Sequence, residues 1–341
     1  MSETRAQHYI PQFILRNFTP NGTTGEHVFV TSPAEKKQWR SLPSQTAHHR
    51  DFYRVEIDGV DPNIVERFLS KLEAGASPVF REMIQLEQIP LSARDYELLM
   101  TFLAFSFARV PSQREMLERS LEAMNKQILR IVLETPERWA EFLGAQRRET
   151  AGSTDEDVSY LKMKDFVDRD EYSVRMEGNN YQVKMMFRTA EIVLPLLARR
   201  RWGLLISRSG EFICADRPAL FFNSPEPPNH PPALGFEDTS VAFPVSRHVI
   251  LIGAGDMSNE VRYLNKKSVA GMNRIALVNT HRYLFSSKSE FPWLDRSGKV
   301  RYNLPPMAKD ESPPVVRAYV GGSSVAEELV EMRDRPLRLL N

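Results

Sequence analysis

His8, Gln12 and Arg16 fall at four-residue intervals in the stretch HYIPQFILRNF. Four residues is close to one helical turn, so in a helix the glutamine and the arginine share a face. Pro11 suits a first helical position, because its missing N–H would have no partner there, and the residue before it is held extended. A short helix over about 11–18 is therefore expected, with His8 just outside its N-terminus. The positive end of a helix dipole attracts anions and lowers the pKa of a nearby imidazole. His8, neutral beside a bound phosphate, is then the candidate general base. Gln12 would orient a phosphate oxygen or a water, and Arg16 would add fixed positive charge. The competing reading is architectural: these polar groups satisfy the backbone where the N-terminal segment enters the fold.

Further candidates lie far along the chain. Arg109 and Arg114 flank VPSQ at an expected helix boundary, where two guanidinium groups can clamp a phosphate or carboxylate, or pair internally with acids such as Glu66 and Glu73. Asp216, in FICADRPAL, ends an expected strand and is the third catalytic candidate after His8 and Gln12; as the acid of an Asp-x-Pro turn it would instead bind backbone. Cys214 alternates inside that strand and reads as a small core residue. The run ARRRW at 198–202 offers phosphate contacts and a stacking ring, or a helix C-terminus in solvent. His48 and His49 are adjacent and cannot share one face, while His27, His230, His248 and His281 are isolated. No HExxH, Walker loop, strand-linked GxGxxG or GxSxG occurs. No cofactor is expected and no metal ligands are assigned, although a divalent ion accompanying a phosphate substrate stays open.

The bulk composition limits the partners. Forty-five basic against forty-four acidic side chains give a net charge of +1, which excludes a global electrostatic drive toward nucleic acid or anionic membrane and leaves local patches. A single cysteine excludes an internal disulfide and a multi-thiolate zinc site. No basic n-region with an apolar h-region opens the sequence, and no apolar run approaches the roughly 18 residues of a membrane span. The expectation is a cytoplasmic protein without membrane contact; the sequence does not specify an oligomeric state.

Periodicity gives an α+β fold: a mainly helical central block, about 61–199, between short-stranded β regions. Residues 1–60 should hold the N-terminal helix and strands at HVFVT, KQWRSL and DFYRVEI. In the central block, Asp61 and Pro62 start one helix and Ser77 and Pro78 another, through Glu87. SARD at 92–95 is a capping box before YELLMTFLAFSFARV, apolar almost all round. Pro111 starts a helix to Leu133 and Pro136 a further one; AQRRETAGSTDED reads as a linker; helices from about Asp157 and over Tyr181 to Arg199 complete the block. The β-rich region, 200–287, should pack on it, with RWGLLIS and EFICA as a hairpin about RSG, strands VAFPV and HVILIGAG, the helix YLNKKSVAGMNRIALVNT and a closing strand RYLFSS. The extension 288–341 is proline-punctuated, with one helix near 325–332.

Several of these stretches, HYIPQFILRNF, DFY, NIVERFLSKLE, RVPSQRE, WGLLIS, FICADRP, FPVS and VNTHRYLFSS, together resemble the bacterial family known as Domain of Unknown Function 4238. They span residues 8–287, and the His-Tyr-x-Pro-Gln opening is the most specific. Ala215 departs from the pattern, standing where Ser or Thr is expected before Asp-x-Pro. The resemblance implies a shared fold and carries no agreed reaction. From the residues themselves, two functions stay open: an enzyme acting on a phosphate-containing substrate, nucleic acid in a defence or toxin setting included, or a non-catalytic module that binds an anion or a peptide.

Overall fold

The structure is a computed structural model that describes residues 5–89, 92–149, 159–174, 178–223, 231–255, 257 and 259–302, with backbone alone at 146–149. The expected helix near 325–332 and the linker beyond 149 lie outside these residues; 145–149 continue a helix. Among the described residues, eight α-helices and several small sheets make an α+β fold in which helix is the larger share. The chain divides into two compact units, one of Met1–Ser112 with Gly178–Asn341, the other Gln113–Glu177.

The larger unit begins with β1 (Ala6–His8) and α1 (Gln12–Arg16), followed by β2 (Val28–Ser32), β3 (Lys37–Ser41) and β4 (His48–Arg50). α2 (Ile64–Leu86) and α3 (Ala93–Ala108) come next. The capping box forms as expected: Ser92 Oγ accepts from the Asp95 N–H at 3.0 Å. In the second unit α4 (Pro111–Val132), which starts at the boundary, is followed by α5 (Pro136–Glu149) and α6 (Tyr160–Arg169). Leu133, Trp139 and Val167 are the centre of that unit's own small core. The chain re-enters the larger unit at α7 (Asn180–Ala198) and adds β5 (Trp202–Ser207), β6 (Cys214–Ala215), β7 (Leu220–Asn223), β8 (Thr239–Pro244), β9 (Val249–Gly253), β10 (Val261–Leu264), α8 (Lys266–Asn279), β11 (Leu284–Ser286), β12 (Trp293–Leu294) and β13 (Val300–Arg301).

Strand order in the main sheet is β10-β5-β9-β8-β7, antiparallel except where β10 runs parallel to β5. Every residue of β5, β8 and β9 is buried, because helices cover both faces. Alternation sorts the side chains: Leu204, Ile206, Leu251 and Phe243 join the core containing α3 and α7, whereas Leu205, Ile250, Ile252 and Ala242 join a second core with Val269, Met272 and Ala276 of α8. A four-stranded sheet, β3-β2-β11-β6, combines strands from both ends of the described chain.

Four expectations are corrected. Ser77 and Pro78 do not start a new helix, for α2 runs through them. Pro78 and Ala74, whose carbonyl loses its N–H donor, are both exposed, so water can serve the carbonyl while Leu72, Ala76, Val79 and Phe80 keep the apolar stripe intact. RWGLLIS and EFICA do not pair as a hairpin: β9 and β10 occupy both edges of β5, and β6 bonds to β11 in the other sheet. DFYRVEI is a turn and an irregular segment whose polar groups go elsewhere, with Tyr53 N–H donating to Gln7 Oε1, Val55 N–H to the Pro62 carbonyl and Glu56 N–H to Asn180 Oδ1. Tyr263 and Leu264, expected at the start of a helix, end strand β10 instead.

Candidate functional site

The N-terminal segment is held by its apolar residues. Ile10, Ile14, Leu15 and Phe18 are fully buried, and Phe13 packs against Phe80 of α2 and Phe102 of α3, which both meet Phe243 of β8. This aromatic cluster fixes the chain entry and the polar residues beside it.

His8 pairs with His48 in the two-stranded β1–β4 ladder, and their rings lie 5.1 Å apart. Burial is the main cause that lowers the His8 pKa from 6.5 to about 4; the neighbouring His48 and Arg109 push the same way, while the backbone of Pro43 and Ser44 opposes. The helix dipole is not the cause. α1 has five residues, so the anion-binding N-terminus expected there carries little field.

Arg109 caps the C-terminal end of α3, a favourable place for a cation, and is 2% exposed. Its Nη1 donates to Glu73 Oε1 at 2.7 Å, and its guanidinium lies 5.8 Å from the centre of the Phe102 ring. Tyr53 Oη lies 3.2 Å from the His8 carbonyl and 3.4 Å from that of Arg109, tying strand to helix end. Glu66 and Glu73 are seven residues apart on α2, hence on one face two turns apart. Burial first, and then the charge of Glu73, raises the Glu66 pKa from 4.5 to about 7, against the pull of Arg109. Three ring or guanidinium nitrogens of this cluster, His8 Nε2, His48 Nδ1 and Arg109 Nε, are buried without a hydrogen-bond partner among the described residues.

The other candidates are placed as follows. Gln12 Oε1 accepts from Arg16 Nη2 at 3.4 Å, so these two residues of α1 engage each other. Arg114 belongs to α4 in the second unit. Asp216 is 4% exposed and accepts from the backbone N–H groups of His281, Arg282 and Tyr283 at 2.8, 2.6 and 3.0 Å. Burial raises its pKa and these three donors pull it back. Its neighbour is Tyr9, on which Asp216, Tyr283 and Arg282 all act. Adjacent residues of one strand-end thus serve two polar clusters: His8 the Arg109 group and Tyr9 the Asp216 group. Cys214 is fully buried, and burial pushes its thiol pKa up. Arg200 of the ARRRW run turns inward to the carbonyls of Thr239, Leu234 and Phe236.

Glu66 and Glu73 are functional candidates that the sequence reading treated only as internal partners for arginine. The available signal was two acids in register on the edge of an otherwise apolar helix face. Among the described residues no three His, Cys, Asp or Glu side chains gather closely enough to hold a metal ion. Nor is any helix among them long and apolar enough to cross a membrane.

The fold is a mixed α+β one, with a polar cluster beside its N-terminal strand. The chain belongs to the family described as Protein of unknown function (DUF4238), whose model matches residues 6–290. No curated protein and no solved structure matches it.

Proposed function

We propose that the chain is an enzyme that uses proton transfer on a phosphate-containing substrate at the cluster of His8, Glu66, Glu73 and Arg109. The observation that carries this reading is the opposed displacement of two titrating groups on which the buried Arg109 acts, Glu66 raised to about 7 and His8 lowered to about 4. Such a divergence is how a protein holds an acid and a base ready at one pH. Efficient proton carriers titrate near the working pH, so the transfer falls to Glu66, and the general-base role expected of His8 gives way to that of a neutral hydrogen-bonding partner. Arg109, fixed by Glu73 and the Phe102 ring, supplies positive charge in a poorly solvated setting.

The test is turnover by the purified chain of phosphomonoesters, phosphodiesters and nucleotides, with and without a divalent ion. Glu66→Gln should lower kcat about 10²–10⁴-fold and remove the pH-rate limb near 7, with His8→Ala reducing kcat less. No turnover across the panel, or a Glu66→Gln protein as active as its parent, overturns the proposal. One observation favours a second reading, a non-catalytic anion- or peptide-binding module: Arg109 is already paired with Glu73. In that case a ligand raises the melting temperature of the parent and not of His8→Ala, with no product formed.

A further inference from the structure

We infer that single-stranded nucleic acid binds along a basic, aromatic strip that leads from Trp39 to Arg50 beside the His8 cluster. This names the substrate class of the activity proposed above and rests on that reading for turnover, whereas the binding surface stands on its own contacts. Trp39 of β3 is 41% exposed and meets the Tyr283 ring edge-on at 5.9 Å. Tyr283 and the exposed Arg282 lie within electrostatic reach of Tyr9, which is buried and whose ring supports that of His49 at 5.4 Å. His49 is exposed and leads directly to Arg50, whose side chain is 72% exposed. Arg5 and Arg50 both pair with Asp51, which Arg54 also faces. Four arginines, Arg5, Arg50, Arg54 and Arg282, thus gather along this face, with Arg5 and Arg50 sharing Asp51.

Rings with arginines between them suit unpaired bases and their phosphates: every base has a face to stack, and guanidinium groups follow the backbone without reading sequence. A duplex keeps its bases stacked on one another and cannot use the rings. With a net charge of only +1 over the whole chain, the attraction is local to this strip. Its position also fits the proposed chemistry. His48 and His49 are neighbours on β4, and His8 and Tyr9 are neighbours in sequence; His8 and His48 belong to the polar cluster, while the exposed His49 belongs to the strip and rests on the buried Tyr9 ring. A strand lying on the strip passes one residue from the cluster.

Among the four tryptophans Trp39 alone is exposed, the others being 2% to 6% accessible, so quenching of intrinsic fluorescence reports stacking on it. Short labelled single strands of RNA and of DNA, the matching duplex, and polyglutamate would be titrated against the full chain while anisotropy and quenching are followed. Single strands should bind and quench, and duplex and polyglutamate should do neither; RNA against DNA then identifies the sugar. Trp39→Ala should weaken binding by about tenfold. Arg50→Ala with Arg282→Ala should flatten the salt dependence by about 1.4, from about 0.7 for each lost phosphate contact. Equal binding of polyglutamate or duplex, or an unchanged affinity in a folded Trp39→Ala protein, overturns the inference. Tight single-strand binding without turnover overturns the enzymatic reading instead and leaves this one intact.

Discussion

Asp216 and Arg109 are both buried charges, yet their surroundings differ in kind. The Asp216 carboxylate is matched by three backbone donors from the 281–283 segment, so its charge is spread over groups that cannot leave. Among the described residues Arg109 has one carboxylate in ion-pair contact, Glu73, whose side chain is 26% exposed, and keeps a buried Nε without a partner. A fully matched buried ion specifies a fold, whereas one held by a partner at the solvent boundary can exchange that partner for a substrate. The contrast separates the structural tie from the candidate site, although both fall beside the same dipeptide, His8-Tyr9.

The largest effect should follow from breaking the matched site. Asp216→Ala leaves the 281–283 donors without their acceptor and should cost about 3–5 kcal/mol in urea unfolding. A cost under about 1 kcal/mol would remove the distinction between the two regions. Glu73→Gln should cost less, about 2–3 kcal/mol, because the lost carboxylate is partly solvated while Arg109 stays buried. Adding Arg109→Met to Glu73→Gln should recover part of that loss, and a strictly additive double variant would show that the pair is not coupled.

The pH dependence sharpens the comparison further. A carboxyl whose pKa rises on folding, as for Glu66 from 4.5 to about 7, releases its proton more readily in the unfolded chain, so its favourable contribution is complete below 4.5 and is lost as pH climbs to about 7. For His8, lowered from 6.5 to about 4, the contribution is complete above 6.5 and is lost as pH falls toward about 4. The two slopes oppose each other between 4.5 and 6.5 and flatten the parent's stability profile there. Glu66→Gln should expose the His8 slope and His8→Gln the Glu66 slope, each about 1–2 kcal/mol once discounted for partial solvent access. Stability curves of both variants parallel to the parent's from pH 4 to 7 would contradict these displacements. The smallest effect belongs to Arg16→Ala: its long contact with Gln12 should contribute within about 0.5 kcal/mol, and a large loss of activity without loss of stability would extend the site onto α1.

What the sequence made legible follows the range of each interaction. Ser92 and Asp95 are three residues apart, so their capping box is visible as a local pattern, and the α+β class follows from the change of period along the chain. His8 and Arg109 stood out by residue type, but their meeting did not, because the N-terminal segment, α2 and α3 are brought together by packing around Phe13, Phe80 and Phe102. Glu66 and Glu73 read as acids able to pair internally with Arg109, and Glu73 does so from 36 residues away; nothing local says that Glu66 will be buried beside them. The turn reading of Asp216 named the right kind of partner, backbone N–H, but those donors lie 65 to 67 residues away. Pro78 misled for the complementary reason: a local rule predicted a break, and the tertiary burial of Ala76, Val79 and Phe80 outweighed it.

The four-stranded sheet bears on how the protein is made. β2 is an apolar strand whose neighbour β11 pairs Leu284 with Thr31, so a ribosome must add roughly 250 residues before that ladder can close, about 13–50 s at ordinary elongation rates. During that interval only the β2–β3 hairpin can form on this sheet, with the other edge of β2 open in the nascent chain. Synthesis of this protein should therefore lean on holding factors until the segment after α8 emerges, and stalled chains ending before residue 284 should be its most aggregation-prone forms.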